Sequence, residues 1–179
     1  MKSSVGRIFA LLLLSGSLRA AGGGLEGTWK FVPAKSTDIA SWGNSLPQIE
    51  ISAADGNVRV ILGWLDRGKV AYADTFEFRP GGPPVTSVIR SEVWPENWYM
   101  GVLSSPGDAR ITSGLWLEPG KVLRVATRQT LRSSQGRSEV TTTREYTLGP
   151  DGKTLTISER RSSRPTLVLL VFERKEPAR

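Results

Sequence analysis

From Gly27 onward the apolar residues recur with a period of two, and turn-forming residues interrupt them at short intervals. Side chains two apart share one face of a strand, so this is the pattern of an antiparallel sheet closed into a barrel or folded into a sandwich. Ile49, Ile51 and Ala53 fall on one face and Gln48, Glu50 and Ser52 on the other, and Asp55-Gly56-Asn57 supplies the positive-φ positions of a tight hairpin. The next strand answers with Val58, Val60, Leu62 and Trp64, alternating with Arg59, Ile61 and Gly63. After a turn at Asp66-Arg67-Gly68, Val70, Tyr72, Phe76 and Phe78 share a face with Asp74.

The rest of the chain follows the same rule. A first strand opens at Gly27-Thr28-Trp29-Lys30-Phe31, followed by a long loop through Asn44 with room for one helical turn. Arg79-Pro80-Gly81-Gly82-Pro83-Pro84 reads as a loop, because proline cannot donate to a ladder and paired glycines weaken it. Further strands are expected over 85–93, 111–117, 122–131, 138–148, 154–160 and 166–174, with an aromatic turn at Trp94-Pro95-Glu96-Asn97-Trp98-Tyr99. The expectation is an all-β, antiparallel up-and-down barrel of about eight to ten strands, the usual size of small closed barrels.

Residues 1–22 break this pattern. Lys2 and Arg7 precede the apolar run Ile8 to Leu14, and Ala20-Ala21-Gly22 offers small residues for cleavage, which together read as a secretory signal peptide. That run is far shorter than the roughly 20 residues a spanning helix requires. One domain over 23–179 is expected, with no integral membrane span after cleavage. The product is expected to be exported, to the periplasm or beyond.

Composition narrows the chemistry. There is no cysteine and no histidine. Disulfides, Ser-His-Asp or Cys-His pairs, and zinc sites built on imidazole or thiolate are therefore excluded. No two carboxylates form a recognisable catalytic motif. No catalytic residue, metal or cofactor is expected, and an enzyme is the least supported class.

The formal net charge is +7, and removing Lys2, Arg7 and Arg19 with the leader brings it to +4. Residues 118–179 carry 13 basic against 7 acidic side chains, a balance that can attract polyanions. Yet these arginines fall at strand spacing, and Arg124, Arg128 and Arg132 share one face with no aromatic among them. Single-strand binding interleaves aromatics with a basic groove, so no nucleic-acid partner is expected.

Gly27-Thr28-Trp29-Lys30, Pro33-Ala34-Lys35-Ser36 and the late Gly149-Pro150-Asp151-Gly152-Lys153-Thr154-Leu155-Thr156 resemble the lipocalin-like proteins of unknown function exported by many bacteria. The resemblance covers both ends of the mature chain. It implies that Trp29 closes the barrel floor behind Gly27, with a basic residue near the last strand, Arg174 or Arg160, packed over its ring.

In such a barrel the lumen holds side chains or one small ligand, and polar residues on apolar faces are candidates to read that ligand. Asp74, Gln129, Arg144 and Glu159 meet this criterion. An Asp and an Arg facing one interior must pair or bind something, because an unpaired buried charge is costly. A small apolar or amphipathic ligand in the lumen is the expected function. The alternative is a surface module in which Trp94, Trp98 and Tyr99 stack on a polysaccharide or dock a protein partner.

Overall fold

The structure, a computed structural model, describes residues 24–37, 46–66, 69–90 and 103–176. Among them are eleven antiparallel strands: β1 (Gly27–Phe31), β2 (Leu46–Ala54), β3 (Asn57–Asp66), β4 (Lys69–Phe78), β5 (Val85–Val88), β6 (Leu103–Ser104), β7 (Ala109–Glu118), β8 (Val122–Ser133), β9 (Gly136–Leu148), β10 (Thr154–Arg161) and β11 (Arg164–Arg174). One 3-10 turn, Pro33–Lys35, interrupts the first loop. No described helix is long and apolar enough to cross a membrane.

The strands hydrogen-bond in the order β4-β3-β2-β1-β11-β10-β9-β8-β7-β5. Most neighbours in sequence are neighbours in the sheet; β1 also pairs with β11, β5 pairs with β7, and β4 and β5 stand at the two ends of the order without pairing. The short β6 pairs with β8 at Leu131 and Arg132, beyond the point where β7 leaves it, so β6 and β7 together count as one interrupted strand. The result is the expected up-and-down barrel, with ten strands around a ring that is nearly closed. The Asp55-Gly56 hairpin between β2 and β3 forms as the sequence dictates, both residues having positive φ (52° and 79°).

Two strand limits differ from expectation. The strand beginning at Val85 ends at Val88, one residue before the Ile89 N–H donates to the Asp108 carbonyl in line with the β5–β7 ladder, and residues 91–93 of the expected strand lie outside the described residues. The strand expected from Ile111 starts two residues earlier, at Ala109, which brings Arg110 onto the inner face. The aromatic turn holding Trp94, Trp98 and Tyr99 lies outside the described residues.

Period-two alternation fills much of the barrel interior with apolar side chains. Trp29, Trp64, Phe76, Phe78, Tyr146 and Phe172 are fully buried, within a single cluster contributed by β1–β4 and β8–β11. Phe31 and Phe172 pack with centroids 5.4 Å apart in a tilted arrangement, the geometry aromatic quadrupoles favour.

Arg174 closes the end of the barrel at Trp29. Its guanidinium lies 4.2 Å from the centroid of the Trp29 ring and donates to the carbonyls of Gly24, Glu26 and Gly152. Trp29 Nε1 in turn donates to the Leu25 carbonyl at 2.9 Å. A Cβ on Gly27, whose φ is +134°, would stand 2.7 Å from Nη1 of Arg174, so the close approach requires glycine. Of the two basic residues considered above, Arg174 is therefore the one over the ring, while Arg160 is exposed on the outer face of β10.

Arg174→Ala is expected to destabilise the barrel by about 2 kcal/mol, through lost carbonyl partners and the lost cation–π contact. The check is a lower urea midpoint at unchanged slope, against an Arg160→Ala control that leaves the midpoint in place.

The Asp-Gly-Lys-Thr turn between β9 and β10 is held by its own carboxylate. Asp151 accepts the Lys153 and Thr154 N–H groups at 2.9 Å each and the Thr154 hydroxyl at 2.8 Å. The Lys153 N–H first, and the Thr154 donors after it, hold its carboxyl below the ordinary carboxylate range.

Candidate functional site

Away from the Trp29 floor, the wall formed by β7–β10 carries a group of buried polar side chains. Continuing their inward alternation, β7, β8, β9 and β10 present Arg110 and Thr112, Thr127 and Gln129, Thr142 and Arg144, and Glu159 and Arg161, all buried. Glu159 is 1% exposed and joins two guanidiniums, accepting from Arg144 Nε at 2.7 Å and Arg161 Nε at 3.1 Å. Arg144 also faces the Phe76 ring at 5.9 Å, and Arg110 lies over the same ring at 4.4 Å. Asp74, Arg110, Phe76, Arg144, Glu159 and Arg161 thus form a connected series running inward from β4.

All four lumen candidates read from the sequence lie in this region, but with different surroundings. Arg144 and Glu159 pair with each other, and Gln129 is buried on β8. Asp74 is the one that reaches open space. Its partner is Arg110, which the sequence reading passed over because the strand was started at Ile111, after it. Arg161 was missed likewise, one step beyond the expected end of its strand, although it stands two residues from Glu159 and so shares its face. Extending the period-two pattern by one residue pair at each strand end would have found both.

Asp74 and Arg110 stand where the ring fails to close. β4 and β5 are its two edges, and no ladder joins them. At one end of this seam the Gly81 N–H donates to the Gly114 carbonyl at 2.8 Å and Phe78 packs directly onto Gly114 of β7. Further along, Asp74 accepts the Thr75 N–H at 2.9 Å through Oδ1 and Arg110 Nη1 through Oδ2, while Arg110 Nη2 donates to the Thr75 carbonyl at 2.8 Å. The ion pair therefore occupies both backbone polar groups of Thr75, which an edge strand otherwise leaves open to pairing with another chain.

Between these edges lies a cavity of about 600 Å³. Phe76, Val85, Val88 and Ile89 supply its apolar wall, and Asp74, Arg110, Thr112 and Ser104 its polar one. It is within the size range of small-molecule sites, which are mostly apolar with a few placed polar groups. The outer face carries a different pattern: Arg124 pairs with Glu145 at 2.6 Å and Arg128 lies 3.9 Å from Glu139, so basic and acidic side chains alternate across β8 and β9. Among the described residues no group of three or more acidic side chains is placed to hold a metal ion.

No protein-family model matches this chain, and no curated protein matches it in sequence. Solved structures do. Secretory abundant heat soluble protein 4 from Ramazzottius varieornatus superposes with a TM-score of 0.50 at 11% identity, over 87% of this chain and 97% of that one. A protein described as REP1-NXSQ fatty acid transporter superposes with a TM-score of 0.48 at 8% identity, over 86% and 98%. The likeness is one of fold.

Proposed function

We propose that the protein is a non-catalytic binding barrel that takes a small amphipathic molecule into the cavity between β4 and β5. The cavity is the observation that supports this reading. The floor of the barrel is filled by its own aromatic side chains, whereas the seam leaves a space of about 600 Å³ lined by both apolar and polar side chains. The Arg144–Glu159–Arg161 cluster supports the cavity from behind, and Asp74 with Arg110 forms part of its polar lining. This moves the binding space from the centre of the lumen to its side.

The test is native mass spectrometry of the mature protein purified from its own host, beside a Ser87→Trp variant in which the indole fills the cavity. A co-purifying small molecule of defined mass is expected in the first and reduced about tenfold in the second, since the apolar wall it rests on is occupied. A clean apo mass for the parent, with no uptake of lipid-like probes, would sink the reading. We also propose export, supported by the basic, apolar and small-residue segments of residues 1–22. Recovery from the periplasm or medium of a chain beginning near residue 22 is the expected result.

A further inference from the structure

We propose that the β4–β5 cavity selects an amphiphile carrying one negative charge, whose head group sits at the end of the cavity formed by Arg90 and Ser104. The inference rests on the small-molecule reading above and supplies the chemistry of the ligand. Five charged side chains line the cavity: the guanidiniums of Arg59, Arg90 and Arg110, and the carboxylates of Asp74 and Glu77. One positive charge is in excess.

Position along the seam identifies which one. Arg110 is ion-paired with Asp74 at its middle. Arg59 stands directly opposite Glu77 in the β3–β4 register, a facing position at which opposite charges attract, here without a direct ion pair. Arg90 follows β5 at the other end: Val85 pairs with Thr112 and Val88 with Ala109, so the chain leaves the ladder past Arg110, away from the contact of Phe78 with Gly114. Glu77 lies three residues from Asp74 in the opposite direction, toward Phe78, and no ion pair joins it to Arg90 among the described residues. Asp108, whose carbonyl receives the Ile89 N–H, turns its carboxylate to Arg137 and does not line the cavity. Arg90 itself is exposed and makes no ion pair among the described residues, so it meets a ligand without first breaking one.

A second donor stands at the same end. Ser104 is buried, lines the cavity and faces inward opposite Leu131, one step along β8 from Arg110. A hydroxyl and a guanidinium in the lining of one cavity, with Ile89, Val88 and Phe76 in the same lining, match an anionic head joined to an apolar chain. A cationic head would meet the excess charge at Arg90, and a neutral one would leave it unanswered.

Titration of the labelled mature protein with decanoate, decyl sulfate, decanol and decyltrimethylammonium, each below its micelle concentration and followed by amide NMR, gives affinity and location together. Both anions are expected to bind about fivefold more tightly than decanol, and the cation most weakly, with the anions shifting the amides of Arg90 and Ser104. The preference should shrink at high salt. Equal affinity for both anions assigns the head-group site to any monoanionic head, and a preference for decanoate alone assigns it to carboxylates; either supports the proposal.

Arg90→Gln is expected to bring the anions down to the level of decanol while leaving decanol unchanged, and Arg59→Gln to preserve the preference. Decanol binding as tightly as the anions in the parent, or a preference that survives Arg90→Gln and is lost in Arg59→Gln, would overturn the head-group assignment alone. If none of the four amphiphiles binds, the cavity is not a ligand site and the broader reading fails with it.

Discussion

Gly114→Ala is expected to destabilise the protein by about 3 kcal/mol, at the upper end of what overpacking costs. The magnitude follows from one distance: a Cβ at this position would lie 1.9 Å from a ring carbon of Phe78, and 2.5 and 2.8 Å from two more. Real Cβ atoms do not approach other heavy atoms this closely, so the ring or β7 must move. Phe78 has little freedom to do so, because it is 2% exposed and part of the barrel core. Interiors are packed about as densely as organic crystals, and a displaced ring has no adjacent space to enter.

The contact sits beside the hydrogen bond from Gly81 to the Gly114 carbonyl, so the same substitution strains the tie that holds the end of β4 against β7. Denaturant unfolding of the single variant, of Phe78→Leu and of the double variant is the check. The expected outcome is a double variant less destabilised than the sum of the two singles, since the smaller side chain removes the clash. Simple additivity would show that Gly114 acts through backbone freedom and not through the ring.

Glu159→Ala is expected to cost about 4 kcal/mol, the scale on which removing one partner of a buried ion pair is felt. The carboxylate is 1% exposed and lies within hydrogen-bond distance of two guanidiniums, Arg144 at 2.7 Å and Arg161 at 3.1 Å. Removing it leaves two positive charges close together in a region of low dielectric, where repulsion is poorly screened. Glu159→Gln keeps the shape and one acceptor, so it is expected to be milder than Glu159→Ala yet still clearly destabilising. Arg160→Ala, one residue along and exposed on the outer face, is the control that should leave stability unchanged within about 0.5 kcal/mol. If Glu159→Ala matched that control, the cluster would contribute nothing to the fold and its place behind the cavity would be incidental. Ligand uptake measured on the folded Glu159→Gln variant separates support of the cavity wall from stability alone.

Much of the barrel was legible in the residue pattern because strand faces alternate with a fixed period. Val58, Val60, Leu62 and Phe76 could be assigned to the core one by one, and every one is buried. The Trp29 floor was legible through the resemblance, and the choice between Arg174 and Arg160 was not. Spacing along a chain does not say which of two arginines faces inward near a barrel end, and the answer came from the direct register of Trp29 with Arg174 across β1 and β11.

The candidate site was legible in part. Asp74 was visible as a charge among apolar neighbours, but its partner was not, because Arg110 is 36 residues away and on a strand that β4 never pairs with. Arg144 and Glu159 were each visible as interior polar groups, while their pairing required the β9–β10 register, which sets them directly opposite.

An all-β chain with a period-two core, the turns at Asp55-Gly56 and Asp151-Gly152, and the absence of thiol and imidazole chemistry are all written in the order and choice of residues. These are local or compositional properties, set by side-chain alternation, by φ values that glycine and Asx residues tolerate, and by which residue types are present at all. Where the ring stays open, which charges meet across it, and hence where the cavity lies are properties of the assembled barrel. Those outcomes depend on the cumulative register and twist of ten strands, which no short stretch encodes, and on the failure of β4 and β5 to pair although they are joined by a short loop.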